Sequence, residues 1–152
     1  MNIFYLDSSA WVKRHQKEAG SDWIARIWSP GVHFACASLG LVEVLCTIAR
    51  RHAANHVNQA ATDAVLKAVR QDFNGFLRID FDDPVLALAE SLASTRRLRG
   101  ADCIHLASAM RVRDTLGATV ILIASDAELL AAASAEGFPV LDPSLDPPLP
   151  MP

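Results

Sequence analysis

The chain has 152 residues, of which 51% are hydrophobic and 20% are charged, and its formal net charge is −3. This composition excludes a disordered chain, and the length fits a single domain with a normal core. The slightly acidic balance argues against a protein that coats nucleic acid nonspecifically, although a nucleic-acid enzyme needs only a local rim of positive charge. No apolar run reaches the roughly 18 residues of a membrane span, so we expect no membrane association.

The N-terminal residues and the cysteines indicate the compartment. The start of the chain has neither a basic segment nor a small-residue cleavage site after its apolar run, so we expect no signal peptide. Cys36, Cys46 and Cys103 are odd in number, scattered and surrounded by apolar residues. This usage is typical of reduced core residues and not of a disulfide framework or a zinc site. We therefore expect a cytoplasmic protein.

Short apolar runs alternate with helical patterns along the chain. The first run, at residues 3–6, is apolar throughout, which is typical of a strand buried on both faces of a parallel sheet. Alternation of strands and helices predicts parallel strands joined by right-handed helical crossovers. We predict strands at 3–6, 32–37, 78–81, 119–124 and 138–141, and helices at 9–18, 22–27, 39–52, 55–77, 83–99, 101–110 and 127–136.

These elements predict an α/β fold with three layers, α/β/α, around a mostly parallel central sheet of four to five strands. Ser8 or Ser9 is placed to cap the first helix, and Ser38 is placed to cap the helix at 39–52. Residues 1–142 would form the domain. Residues 143–152 are rich in proline and would form an extended tail outside the core.

Acidic residues follow the two clearest strands. Asp7 comes directly after the strand at 3–6, and Asp126 follows the strand at 119–124 after one serine. In open parallel sheets, ligands bind beyond the carboxyl ends of the strands. If these two strands are neighbours, Asp7 and Asp126 face each other at that edge.

Two further acids lie on helices. Glu43 shares a helix face with Val42 and Cys46, where a carboxylate is costly to bury unless it is paired or bound to a metal. The simpler interpretation places Glu43 at the edge of the apolar stripe, within reach of water or an arginine. Asp102 lies in a first helical turn, where the helix dipole favours an acid. His105, on the same face, could ligate a metal with Asp102, but we favour a histidine bonded within a helix interface.

Four segments in order resemble the motifs of a known family. They are Tyr-Leu-Asp-Ser-Ser-Ala at the start, Leu-Val-Glu-Val-Leu, Arg-Gly-Ala-Asp-Cys-Ile-His-Leu-Ala-Ser-Ala, and Ala-Ser-Asp-Ala-Glu-Leu-Leu-Ala-Ala-Ala followed by Gly-Phe-Pro-Val-Leu-Asp-Pro. Over roughly residues 2–143, the chain is similar to PIN-domain ribonucleases, and most of all to the VapC-type toxins of bacterial toxin–antitoxin pairs. Each motif alone is weak, but the four in order form a specific pattern.

The resemblance implies a site and an activity. Its four acidic positions, which are catalytic and bind divalent cation in the family, correspond to Asp7, Glu43, Asp102 and Asp126. Ser9 matches the small polar residue that supports the first aspartate. The implied function is an Mg²⁺- or Mn²⁺-dependent endoribonuclease that hydrolyses RNA and is the toxin of a type II toxin–antitoxin system. The implied partners are RNA, a cognate antitoxin and a second copy of the chain in a homodimer.

Two positions depart from the family pattern. Cys103 stands where the family often has alanine, which is a mild steric change. Ala124 stands where many members carry a hydroxyl two residues before the last acid, and Ser125 is the candidate to substitute for it.

Four crowded carboxylates make chemical sense around a cation. They repel one another, and without a cation at least one would be driven neutral by a raised pKa. Mg²⁺ and Mn²⁺ prefer hard oxygen ligands and keep several bound waters. Such a metal can activate water for attack on a phosphodiester. In this hypothesis Asp7, Asp102 and Asp126 hold the metal, and Glu43 is a ligand or orients the water.

Positive charge for the RNA backbone could come from Arg99, Arg14 and Lys13, of which Arg99 is nearest an acid of the site along the chain. The tryptophan-bearing early helices and the helix at 55–77 could supply apolar surface for protein partners. A phosphatase of the haloacid dehalogenase type needs a second aspartate where this chain has Ser9, and a receiver domain needs a late lysine that is not obvious here. A catalytically inert PIN-like protein-binding module remains the alternative.

Overall fold

A central sheet of five parallel strands organises the fold. The computed structural model of the protein describes residues 2–150. The order across the sheet is β3-β2-β1-β4-β5, and every neighbouring pair is parallel. The first strand along the chain is therefore the middle strand of the sheet. The strands are β1 (Asn2–Leu6), β2 (His33–Ala37), β3 (Leu77–Ile79), β4 (Thr119–Ile123) and β5 (Val140–Leu141).

Helices connect the strands and cover both faces of the sheet. Within residues 2–150, two short 3-10 helices accompany the α-helices, at Val12–Arg14 and Pro143–Leu145. The α-helices are α1 (Ser8–Trp11), α2 (Ser21–Ile27), α3 (Ser38–Ala54), α4 (Gln59–Asn74), α5 (Asp83–Arg96), α6 (Gly100–Leu116) and α7 (Ala127–Ala135).

The side chains of β1 divide the core into two halves. Successive side chains of a strand point to opposite faces of the sheet. Ile3 and Tyr5 pack into the cluster that holds residues of α5, α6 and α7. Phe4 and Leu6 pack into the cluster that holds residues of α1, α2, α3 and α4. The predicted three-layer α/β/α fold with a parallel sheet is confirmed.

The starts of two helices differ from the prediction. The Asp7 carboxylate caps α1 by accepting a hydrogen bond from the backbone N–H of Ser9, so the cap is neither of the two serines. Ser38 begins α3 but does not cap it, because its hydroxyl donates to Asp80 instead. The helix predicted at 9–18 is also shorter. The Ser21 hydroxyl donates to the carbonyl of residue 16 and accepts from the N–H of residue 18, and such bonds compete with the helical ladder.

The proline-rich segment is not the extended tail outside the core that we expected. It begins with a 3-10 helix in which Pro143 is buried. The indole N–H of Trp23 on α2 donates to the carbonyl of Pro147 (2.7 Å), and Arg26 pairs with Asp146. The segment therefore packs on α2, and the proposed boundary after residue 142 stays a prediction.

Two remaining expectations concern the membrane and the cysteines. In the part of the chain that the structure describes, no helix is both long and apolar enough to cross a membrane. All three cysteines are free thiols. Cys36 and Cys103 are buried, but Cys46 is exposed on the outer face of α3, so its assignment to the core was wrong.

Candidate active site

Asp7 lies at the carboxyl end of β1. Its backbone N–H donates to the carbonyl of Ile123 (3.0 Å), so β1 and β4 stay paired up to the point where both strands end. Its Oδ2 accepts hydrogen bonds from the backbone N–H of Ser9 (3.1 Å) and from the Ser9 hydroxyl (2.6 Å). Its Oδ1 lies 3.3 Å from Nε2 of His105. Asp7 is buried, so these contacts replace the water that an exposed carboxylate would bind.

Ser9 connects the ends of the two central strands. Its hydroxyl oxygen donates to Asp7 and accepts a hydrogen bond from the backbone N–H of Ser125 (2.9 Å). The Ser125 hydroxyl itself donates to Oδ1 of Asp142 (2.9 Å). Ser125 thus contacts Ser9 through its backbone N–H, while its hydroxyl binds Asp142, the residue after β5.

Glu43 projects from α3 towards the same edge of the sheet. Its Oε2 lies 2.6 Å from Nε2 of His105 on α6, and its side chain is 29% exposed. Glu43 therefore reaches solvent, as the simpler interpretation allowed, but the base that it contacts is a histidine and not an arginine. Burial would raise the pKa of the Glu43 carboxyl, but the hydrogen bond and the charge of His105 lower it overall. Glu43 therefore stays a carboxylate.

Asp102 and Asp126 share an arginine. Asp102, in the first turn of α6, accepts a hydrogen bond from Nε of Arg99 (3.2 Å). The other side of the same guanidinium donates to Oδ2 of Asp126 (2.8 Å). The second oxygen of Asp126 caps α7 by accepting from the N–H of Leu129 (2.9 Å). Arg99 is 72% exposed, whereas the Asp102 side chain is 10% exposed.

Burial and the neighbouring acids Asp126 and Asp7 raise the pKa of Asp102. Burial raises the pKa of this carboxyl, and the negative charges of Asp126 and Asp7 raise it as well, against the hydrogen bond from Arg99. Asp102 is therefore repelled by one acid that follows β1, Asp7, and by one that follows β4, Asp126. The structure brings all four predicted acids to one edge of the sheet, in two groups centred on His105 and on Arg99.

The donor set fits a divalent cation. Four carboxylates supply hard oxygen ligands, and the repulsion felt by Asp102 is the kind of conflict that a cation relieves. Atoms of Asp7, Glu43 and His105 all lie within 4.8 Å of one another. The residues of this edge could therefore hold Mg²⁺ or Mn²⁺ mainly through oxygen.

The two other predicted cations lie in separate ion pairs. Lys13 is buried and its Nζ is 3.0 Å from Glu18. Arg14 donates from Nε to Asp72 (3.0 Å), and its guanidinium lies 4.0 Å from the ring centre of Trp28. The structure does not place either side chain against the four acids.

His105 is the residue of this site that the sequence did not assign. We expected a histidine bonded within a helix interface, and it is indeed buried between helices and strands. Its partners, however, are two of the acids and the hydroxyl of Tyr5 (3.0 Å from Nδ1). The one signal in the sequence, its spacing of three residues from Asp102 on one helix, pointed to a different acid from the two that His105 contacts.

Comparisons with known proteins bear on the family and the fold. A model of the PIN domain family matches residues 4–135. Ribonuclease VapC49 of Mycobacterium tuberculosis strain ATCC 25618 / H37Rv is 33% identical over 152 residues, covering 97% of this chain and 100% of the relative. A toxin–antitoxin complex from Klebsiella pneumoniae matches with a TM-score of 0.65 at 16% identity, covering 91% of this chain and 96% of that one. FitAcB from Neisseria gonorrhoeae matches with a TM-score of 0.64 at 16% identity, covering 92% and 97%.

Proposed function

The chain belongs to the PIN domain family, and on this basis we propose that it is a divalent-metal-dependent endoribonuclease and the toxin of a type II toxin–antitoxin system. The observation that carries the proposal is the convergence of four carboxylates at one edge of the sheet. An inert protein-binding module gains nothing from such a group, because buried acids of like charge destabilise one another.

The acids have distinct tasks in this proposal. Asp7, Asp102 and Asp126 hold Mg²⁺ or Mn²⁺, and Glu43, whose side chain is partly open to solvent, is a further ligand or orients the attacking water. When bound, the cation lowers the pKa of a coordinated water and offsets negative charge at the phosphate under attack. Ser9 keeps Oδ2 of Asp7 in place through its hydroxyl.

Cations beside the acids support an RNA substrate. Arg99 is largely exposed and lies against two acids of the site, where a phosphate of the substrate would approach. Arg50 lines a groove on α3 together with Ser8 and Glu43, and within residues 2–150 it has no hydrogen bond or ion pair. We assign the RNA backbone to these two arginines, and Lys13 and Arg14 are weaker candidates because acids elsewhere already pair with them.

The expected protein partners are a cognate antitoxin and a second copy of this chain. Trp11 and Trp23 do not supply this surface, because they are 0% and 1% exposed. Exposed apolar side chains include Val42 on α3, Phe81, and Leu86 on α5. A mass by light scattering that doubles with concentration is expected for the homodimer, and a strict monomer would contradict it.

Cleavage of a labelled single-stranded RNA tests the enzymatic proposal. We expect cleavage with Mg²⁺ or Mn²⁺, none with EDTA, and a loss of at least about 100-fold in Asp7→Asn. Asp114→Asn is the matched control, because Asp114 is exposed on α6 and, within residues 2–150, pairs only with its neighbour Arg113. The products should carry 5′-phosphate and 3′-hydroxyl ends, which separates metal-assisted hydrolysis from contaminating ribonucleases that leave cyclic phosphates. Undiminished cleavage by a folded Asp7→Asn variant would reject the assignment.

A further inference from the structure

Both ring nitrogens of His105 are occupied. The residue lies on α6 and is 1% exposed. Nδ1 is 3.0 Å from the hydroxyl of Tyr5 on β1. Nε2 is 2.6 Å from Oε2 of Glu43 and 3.3 Å from Oδ1 of Asp7. A single imidazole therefore joins the central strand to two of the four acids.

The two carboxylates determine that Nε2 of His105 carries a hydrogen. Carboxylates only accept hydrogen bonds, so the nitrogen that faces Glu43 and Asp7 is the donor. The other end of the ring is held as well, because Nδ1 contacts the Tyr5 hydroxyl, which itself accepts from the backbone N–H of Ala37 (3.2 Å).

A glycine on α3 makes room for the ring. A Cβ at Gly40 would lie 3.2 Å from Cε1 of His105 and 2.4 Å from Sγ of Cys36. Gly40 lies one turn before Glu43, so α3 both leaves space for the imidazole and supplies one of its acceptors. The ring thus fits closely between β1 and α3.

We propose that His105 is a positioning residue: its Nε2–H holds the carboxylates of Asp7 and Glu43 side by side so that they can share one cation. The inference deepens the proposed function and rests on it. Two acids on separate elements would otherwise turn away from each other, because their charges repel. A shared donor between them reduces that repulsion and limits their rotation. Partners of this kind change metal affinity or activity by about 10–100-fold when they are removed.

Two substitutions at His105 distinguish the effect of its hydrogen-bond donor from the effect of the space that its ring fills. Gln can place an N–H near the position of Nε2, whereas Leu fills similar space without a donor. We expect His105→Leu to weaken Mn²⁺ binding, measured by titration calorimetry, by about 10-fold or more and to lower kcat with little change in the KM for RNA. His105→Gln should restore most of the Mn²⁺ affinity. Equal Mn²⁺ affinity of His105→Leu and the wild type, or failure of Gln to improve on Leu, would overturn the proposal.

A third variant and a spectroscopic measurement complete the test. Tyr5→Phe removes the hydroxyl that contacts Nδ1 and so loosens the ring of His105, and it should weaken Mn²⁺ binding even if His105→Leu does not fold. Electron spin-echo measurements on bound Mn²⁺ should show no directly coordinated histidine nitrogen, and such a nitrogen would make His105 a ligand and overturn the proposal. If the wild type binds Mn²⁺ without cleaving RNA, the enzymatic proposal fails while the affinity series still tests His105.

Discussion

Replacing Gly40 by alanine should disturb the core next to the site. The new Cβ would lie 2.4 Å from Sγ of Cys36, whereas atoms of this size rest about 3.5–4.0 Å apart, so the sulfur must retreat by more than about 1 Å. Cys36 is fully buried on β2, so it has no solvent to move into. Overpacking of this kind costs about 1–3 kcal/mol, and the higher helix propensity of alanine returns at most about 1 kcal/mol. We expect Gly40→Ala to be less stable by about 1–2 kcal/mol.

Urea unfolding followed by far-UV circular dichroism measures this cost in a double-mutant cycle. Cys36→Ala removes the sulfur, so Gly40→Ala should cost at least about 1 kcal/mol less in that background than in the wild type. The double variant should still bind Mn²⁺ more weakly than Cys36→Ala, because the new methyl group also lies 3.2 Å from Cε1 of His105. Free energies that add within about 0.5 kcal/mol would refute the steric explanation.

Two further predictions concern RNA affinity and pH. Arg50→Ala should weaken binding of single-stranded RNA and reduce the slope of log K against log salt by about 0.7, as measured by fluorescence polarisation. Arg70→Ala on α4, which is also unpaired within residues 2–150, should change neither the affinity nor the slope. Equal effects of the two substitutions would contradict an RNA path along α3. Burial would raise the pKa of Glu18, but hydrogen bonds from Lys13 and Arg51 lower it overall below its ordinary value of 4.5. A lowered folded-state pKa means that ionised Glu18 stabilises the protein above pH 4.5, and this contribution is lost as the pH falls through the folded-state value. Glu18→Gln should therefore be less stable than the wild type by up to about 1 kcal/mol near neutral pH. The difference between the two proteins in urea unfolding should shrink below pH 4.5. A difference that stays constant with pH would contradict this.

The sequence predicted the sheet well because its signals are local. The inner strands β1 and β4 are short, mostly apolar runs that end at polar residues, and they are the clearest examples. The positions of Asp7 and Asp126 after these strands then follow from parallel pairing at the centre of the sheet. Errors appeared at helix ends, where Ser9, Ser21 and Ser38 have partners that only the folded chain supplies.

The contacts around the site could not be read from spacing. Tyr5 and His105 are 100 residues apart, and Glu43 and His105 are 62 apart. The reverse holds for Lys13 and Arg14, which are close to Asp7 in the chain but are not placed against the four acids. The 3-10 turn after α1 directs them to Glu18 and Asp72 instead. The packing of Pro143 and Pro147 against α2 was missed because prolines carry no periodic apolar signal.

Two of the four acids use one carboxylate oxygen to cap a helix and direct the other oxygen towards the proposed cation site. In Asp7, Oδ2 accepts from the start of α1 while Oδ1 faces His105; in Asp126, Oδ1 accepts from the start of α7 while Oδ2 faces Arg99. Asparagine keeps one oxygen for the cap and is itself a good cap residue. Under the proposed function, asparagine at either position would therefore stop cleavage while the start of the helix stays capped.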